Sequence, residues 1–599
     1  EILAADVWSL TDTVMESTVT LDKLWSILDL PSALSINLLT FFMKIMEHLL
    51  DMKCDEMITY LIENQLELVS KFMNHLLNPP LMDFLLKLIS TDKPDNLTGI
   101  VDFLQRQSLI PRLISALDID ETVAEEQLLM RQSSAADFLK ALITILANST
   151  TDLLLIGPNE LTRELVLQEQ MERLAKIMLK GEYALANGVG IIIEIIRKNN
   201  SDYDLLPVLY ITLDSHPPTG RDPIYLGHLL RVFAENIDDF NKLLLTPNKS
   251  KLKTPFGEIE PLGFERFKIC ELIAELLHCS NMALLNDNKG FDIVRERDDV
   301  RNQMKEYDAV SFKYNEVIVL PEESNKSGGQ EEKVDSNSDS ETSQSVKESS
   351  EGASPSTAMQ SLTINDTINL FNSKDDTFEE THANANLTEE QLRANPVVGD
   401  FLKLALYDTQ IILNVLGMFF EFPWNNFLHN VVFDIVQQVL NGLMDIGFNK
   451  FLAIDLFDKG NITNKIVSGQ QSCQKYELEN NGLRLGYMGH LTLIAEEVVK
   501  FLELYPVHSL SELIDDKVED SVWDDYVNDV LYDTRAKYNA LLGGGEEEDT
   551  TFDEGVGEIL ELEARKYDDD EVEELEDDHH FLNYLLQELN TGGDENSPN

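Results

Sequence analysis

Wherever this chain is apolar it is apolar at helical spacing, and proline, glycine or polar turns cut the apolar stretches at short intervals. In SINLLTFFMKIMEHLL the spacing predicts one broad stripe of Leu38, Phe41, Phe42, Ile45 and Leu49. MITYLIENQLELVSKFMNHLL follows, Pro79-Pro80 stops it, and LMDFLLKLIS restarts. Proline lacks an N–H and clashes with the preceding turn, so these pairs mark helix boundaries. Further breaks fall at TDKPDN, Pro111, GPNE and SHPPTG, and between them run segments such as ADFLKALITILAN and IYLGHLLRVFAENIDDFNKLLL. Short β-branched alternation with hairpin turns is nearly absent. A helix that is apolar on two sides needs neighbours on both, and stacking supplies them. The expected fold is therefore all-α, a HEAT/armadillo-like helical-repeat solenoid with helix pairs spaced irregularly at roughly 40 residues.

Composition divides the array. Residues 1–320 form its first part and 394–542 its second. Between Pro321 and about Arg393 the composition changes: EESNKSGGQEEKVDSNSDSETSQSVKESSEGASPSTA is Ser, Glu, Asp and Gly with hardly a large apolar side chain, too little to offset the entropy of ordering. A disordered acidic insertion is expected there, interrupting one array; its serines, with Ser354-Pro355, resemble kinase sites. Residues 543–599 are an acidic tail, whose self-repulsion favours an extended chain ending in the apolar cluster FLNYLLQEL.

The chain carries 107 acidic against 47 basic residues, a formal charge of −60. Phosphate backbones and anionic lipid heads have the same sign, so nucleic acid and membrane surfaces are not expected partners. Proteins with basic surfaces or apolar anchors are. Cys54, Cys270, Cys279 and Cys473 follow no metal or disulfide spacing and read as core thiols. A reducing compartment follows, the cytoplasm and also the nucleus. No apolar run reaches the roughly 20 residues of a bilayer span. The opening EILAADVWSL reads as the inside of a helix, so a preceding segment is expected.

Catalytic motifs are missing: GxxxxGK[ST], HExxH, GxSxG and the kinase motifs do not occur. No catalytic residue, cofactor site or metal site is assigned, and no cofactor is expected. His429 and His490 lie in apolar helices and read as hydrogen-bonded core residues. Glu271 and Glu275 read as solvated or ion-paired. Gly482, Gly486 and Gly489 read as close approaches between helices. Lys87, Arg231, Arg266 and Lys268 sit among apolar residues, where they either pair internally or line a partner-facing surface.

Several segments are more than generic. EILAADVWSL with LDKLWSILDLP, NPPLMDFLLKLISTDKPDNLTGIVDFL, PLGFERFKICELIAELLHCSNM, PVVGDFLKLALYDTQIILNVLGMFFEFPWNNFLHNVVFDIVQQVL and LRLGYMGHLTLIAEEV closely resemble the SAPS-domain family. The resemblance covers Glu1 to about Leu504, and the Ser/acidic insertion is similar to that of the fungal branch. It implies a non-catalytic regulatory subunit that binds a type 2A-like Ser/Thr phosphatase catalytic subunit of the protein phosphatase 6 class. Such a subunit directs the phosphatase to substrates, with links to cell-cycle and nutrient signalling and to further substrate-recruiting proteins. At the matched motifs, polar loops and helix ends with an aromatic or cationic anchor are the candidate partner-binding residues: Asn78, Pro79, Asp92, Lys93, Glu265, Arg266, Trp424, Asn425, Asn426 and His429. The rival reading is an acidic helical-repeat transport receptor or vesicle-tethering scaffold.

Overall fold

The computed structural model describes residues 4, 7–30, 34–93, 97–120, 122–147, 156–204, 207–220, 222–247, 251–254, 257–313, 318 and 387–539. They belong to two units, Glu1–Leu531 and Tyr532–Asn599. In the second, the described element is the helix Tyr532–Asn539. The insertion expected at 321–393 lies outside the described residues as far as 386, as does Ser354-Pro355. So does the whole tail expected at 543–599, with its apolar cluster. Helix begins again at Glu389–Ala394, ahead of the boundary drawn at 394, because Thr388 and Gln391 close a reciprocal capping box.

Helix starts follow the turn chemistry. Pro79 opens the helix Pro79–Ile89, where a missing N–H costs nothing. The Asp92 carboxylate accepts from the backbone N–H of Thr98 (2.6 Å), Gly99 and Val101 (both 3.1 Å), satisfying donors at the start of Ile100–Arg106. The Asn425 side chain accepts from Leu428 N at 3.0 Å and caps Asn426–Asn441.

In the helix Ile36–Met52 the buried stripe is Leu39, Phe42, Met43, Met46, Leu49 and Leu50; Leu38 and Phe41 are exposed. The expected stripe was thus turned by one position, since a helix apolar on two sides hides its phase until its neighbours are known. The fold also adds one short antiparallel ribbon, β1 (Leu252–Thr254) with β2 (Gly257–Ile259), pairing Leu252 with Ile259.

Four helices stand side by side in a row: α1 (Glu182–Lys198), α2 (Phe264–Ser280), α3 (Asn426–Asn441) and α4 (Met488–Leu504). They run parallel. At the first turns, Glu182 N donates to the Glu265 carboxylate, and the Phe267 and Phe427 rings lie 6.3 Å apart. His490 Nε2 lies 2.5 Å from Asn430 Oδ1. At the far ends, Arg197 Nε donates to Glu275 Oε1 (2.9 Å), and Gln438 Nε2 to Ala274 O (3.4 Å). A second layer packs against the row. Its helices Gly227–Leu244 and Val398–Thr409 are also parallel, with Arg231 over Phe401 near the starts (5.3 Å) and Asn241 bonded to Thr409 O near the ends (2.9 Å). In chain order α1, Gly227–Leu244, α2, Val398–Thr409 and α3 therefore alternate between two layers, as in a helical-repeat solenoid.

One continuous buried apolar cluster runs from Val14 to Leu531. At roughly 1.5–3 kcal/mol for each large side chain taken fully from water, this cluster is the main stabilising term. Several charges among the described residues are paired, some inside the fold and some at its surface. Arg297 grips Asp222 through Nε (2.6 Å) and Nη2 (3.2 Å) while its Nη1 donates to His216 O, tying the SHPPTG loop to the helix Gly290–Tyr307. Lys87 pairs with Asp51, Lys268 with Glu271, and Glu275 with Arg197. Cys270, Cys279 and Cys473 are buried, and burial pushes the Cys270 thiol up to about 12. No single helix among the described residues is long and apolar enough to cross a membrane.

Candidate partner-binding edge

The parallel row brings four helix N-termini to one edge, and aromatic side chains stand out from it. Tyr183 (51% exposed) belongs to α1, Phe264 (57%) to α2, and Trp424 (49%) and Phe427 (73%) to the start of α3. Phe427 is one residue out of phase with the buried Leu428, Val432, Ile435 and Val439, so the helix that buries them turns Phe427 outward. Lys268 Nζ lies 5.6 Å from the Phe264 ring and 5.8 Å from Phe267, and Trp424 meets Tyr476 edge-on at 5.9 Å.

Beneath Trp424 is a groove of about 640 Å³ between two strips of chain, Ile259–Leu262 and Glu421–Phe427. Arg266 locks the first strip. It is buried, donates to Leu262 O, Pro261 O (2.6 Å) and Glu260 Oε1 (3.0 Å), and lies 5.1 Å from the Phe422 ring. His429 locks the second. It is fully buried, its Nε2 lies 3.0 Å from Phe422 O, and its ring packs 4.8 Å from Phe419. Burial pushes His429 down to about 4, so it is neutral at physiological pH and its Nε2 donates to the Phe422 carbonyl. Gly486 supports the turn from behind: a Cβ there would sit 2.7 Å from Pro423 O and 3.3 Å from the Trp424 ring.

Six of the ten sequence-level candidates therefore meet here, in two roles. Arg266, His429 and Asn425 are spent on shaping the groove, the first two by burial and the third as a cap. Glu265, Trp424 and Asn426 present themselves to solvent, although one Glu265 oxygen holds Glu182 N beside Gly181, whose φ is +82°. The other four lie elsewhere, at the start of the helix Pro79–Ile89 and in the loop that follows it. Asp92 is buried as a helix anchor, while Asn78 opens the helix at Pro79 and Lys93 is exposed. Asp92 lines a separate pocket of about 380 Å³, where Lys305 bridges Asp102 (2.8 Å) and Glu160 (3.6 Å).

Of the three glycines expected at close helix approaches, only Gly486 is one. Gly482 turns the chain at φ +84°, and it and Gly489 face open space. Tyr183, Phe264 and Phe427 were missed, and their signal was the break in phase at the helix starts; Glu421, the last residue of the helix Ile411–Glu421, was missed as well. Among the described residues no group of three or more His, Cys, Asp or Glu is placed to hold a metal ion.

The fold and this edge define a class: an acidic helical-repeat protein with exposed aromatic side chains along one edge of its helical row. Residues 46–540 match the family described as SAPS, SIT4 phosphatase-associated protein. The SIT4-associating protein SAP190 of Saccharomyces cerevisiae is 45% identical over 568 residues, covering 91% of this chain and 53% of that protein. Extragenic suppressor of kinetochore protein 1 of Schizosaccharomyces pombe is 39% identical over 625 residues, covering 96% and 72%. Serine/threonine-protein phosphatase 6 regulatory subunit 2 of Mus musculus is 28% identical over 286 residues, covering 46% and 30%. The chain belongs to the SAPS family. It spans about half the length of SAP190.

Proposed function

We propose that the chain is a non-catalytic regulatory subunit that binds a SIT4- or protein phosphatase 6-type Ser/Thr phosphatase and directs it to substrates. One observation carries this reading: the match to the phosphatase-associated family runs from residue 46 to 540, through the helical row and both sides of the insertion. The names of the relatives agree, one a SIT4-associating protein and another a phosphatase 6 regulatory subunit. The aromatic edge supports it physically. Exposed apolar area gains roughly 25 cal/mol per Å² when covered, and Trp, Tyr and Phe are the usual anchors of such contacts. The metals of the reaction belong to the catalytic subunit in this reading. The site of action is the cytoplasm and the nucleus, in cell-cycle and nutrient signalling.

The test is direct mixing of the purified chain with a purified phosphatase 6-type catalytic subunit, followed by size exclusion. Co-elution in a stoichiometric complex is the expected result. Separate elution, together with capture of a small GTPase, would favour the transport or tethering scaffold instead.

A further inference from the structure

The groove beneath Trp424 has a shape and a charge of its own. One wall is Ile259, Pro261 and Leu262; the other is Phe422, Pro423, Trp424 and Phe427. Its volume, about 640 Å³, falls within the roughly 300–1,000 Å³ of sites that enclose a compact ligand. That is room for a few side chains and not for the face of a folded domain. The charged residues that line it are both carboxylates, Glu260 and Glu421. The nearby guanidinium of Arg266 is buried and committed to Glu260, two carbonyls and the Phe422 ring. On the ribbon beside it, Glu258 stands opposite Lys253. The chain as a whole carries −60.

An apolar slot with an acidic lining selects for its complement. Large apolar side chains fill the slot, and Lys or Arg beside them meet Glu421, since Glu260 is already paired with Arg266; an acidic segment would bring like charges together. We propose that this groove is a docking site for an extended peptide segment of a partner protein, in which one or two bulky apolar side chains are flanked by Lys or Arg. The inference rests on the reading of the chain as a scaffold and adds the chemistry of one segment that the scaffold holds. Two residues act as anchors: Trp424 closes over the apolar side chain, and Glu421 receives the basic flank. Because the walls are locked by Arg266 and His429, the groove is formed before the segment arrives, which lowers the ordering cost of binding.

The experiment uses the full chain and a fluorescein-labelled peptide, Gly-Lys-Arg-Phe-Leu-Pro-Lys-Arg, read by fluorescence anisotropy. Two control peptides replace either the four basic residues by Glu or the Phe-Leu pair by Ser-Ser. The basic apolar peptide is expected to bind, and both controls to bind at least tenfold more weakly. Trp424→Ala and, separately, the surface charge reversal Glu421→Lys are expected to weaken the first peptide about tenfold, with the helical circular dichroism signal unchanged. Equal binding of the three peptides, or no effect of either variant, would overturn the proposal. So would a wild-type dimer that Trp424→Ala converts to a monomer, since the occupant would then be a second copy of this chain. Catalytic-subunit co-elution is recorded in parallel with wild-type chain: its failure counts against the regulatory-subunit reading, whereas peptide failure with co-elution intact counts against the groove alone.

Discussion

Asn414 Nδ2 donates to Asn241 Oδ1 at 3.0 Å, and Asn241 Nδ2 passes the link on to Thr409 O at 2.9 Å. The two asparagines are 173 positions apart in the chain and lie on opposite sides of the acidic insertion. Asn241 is buried, while Asn414 and Thr409 are half-buried, so the link is shielded from water on the Asn241 side. Asn241→Leu strands the Asn414 amide and the Thr409 carbonyl, each at a cost of roughly 1–3 kcal/mol less whatever the added methyls regain. The expected loss is about 2 kcal/mol of stability, read as a fall in the urea midpoint with the slope unchanged. A midpoint equal to that of the parent chain would mean that this link contributes nothing to joining the two parts.

The same joint makes a prediction about the insertion. Since helices Gly227–Leu244 and Val398–Thr409 already meet through Arg231–Phe401 and Asn241–Thr409, the two parts need no help from the sequence between them. Deleting Glu322 to Thr377 is expected to leave the helical signal, the melting temperature and catalytic-subunit binding unchanged. Loss of binding with helicity preserved would show that the insertion is a contact element.

His429 should give the fold an acid-sensitive component. Its folded value of about 4 lies below the ordinary 6.5, because burial opposes the charge and His490, 5.7 Å away, adds to the opposition when protonated. Between those two pH values the unfolded chain binds the extra proton, so stability falls as pH falls. The contribution is fully present above about pH 6.5 and gone by about pH 4, on the order of 3 kcal/mol. Burial depresses His490 as well, which acts in the same direction. His429→Phe should flatten the stability profile across this window; a variant with an unchanged profile would assign the acid sensitivity to other groups.

How much of this was legible before the fold was seen depends on the physics of each feature. Helix starts at Pro79 and Asn425 were readable because capping and proline geometry are local. The pairing of Lys87 and Lys268, and the burial of Cys270 and His429, followed from charge or polarity set among apolar residues. The stripe in Ile36–Met52 was misplaced because its outer face is apolar too, and only neighbouring helices decide which face is covered. The candidate site was half legible for a related reason. Trp424 and Glu265 could be singled out by residue type. That Arg266 and His429 would turn inward to hold the walls of a groove depends on strips of chain about 160 residues apart, a separation that no local pattern encodes.

Gly486 offers the sharpest test of that long-range assembly. It precedes α4, yet the atom that a Cβ would strike is Pro423 O, 2.7 Å away in the turn that carries Trp424. The obstacle is backbone, held by the Asn425 cap on one side and by the His429 bond to Phe422 O on the other, so it cannot swing aside as a flexible side chain would. Gly486→Val must therefore push the turn outward or forgo the close packing, at about 1–3 kcal/mol for an overpacked site. The change reaches Trp424 before it reaches the core, because the ring lies 3.3 Å from the same Cβ position. Trp424 emission, isolated as the difference from a Trp424→Phe control, is expected to shift to longer wavelength in Gly486→Val, with weaker binding of the basic apolar peptide. Gly486→Ala should show a smaller shift in the same direction. If both variants keep the emission and the peptide affinity of the parent chain, the turn is not positioned by this contact, and the groove owes its shape to Arg266 and His429 alone.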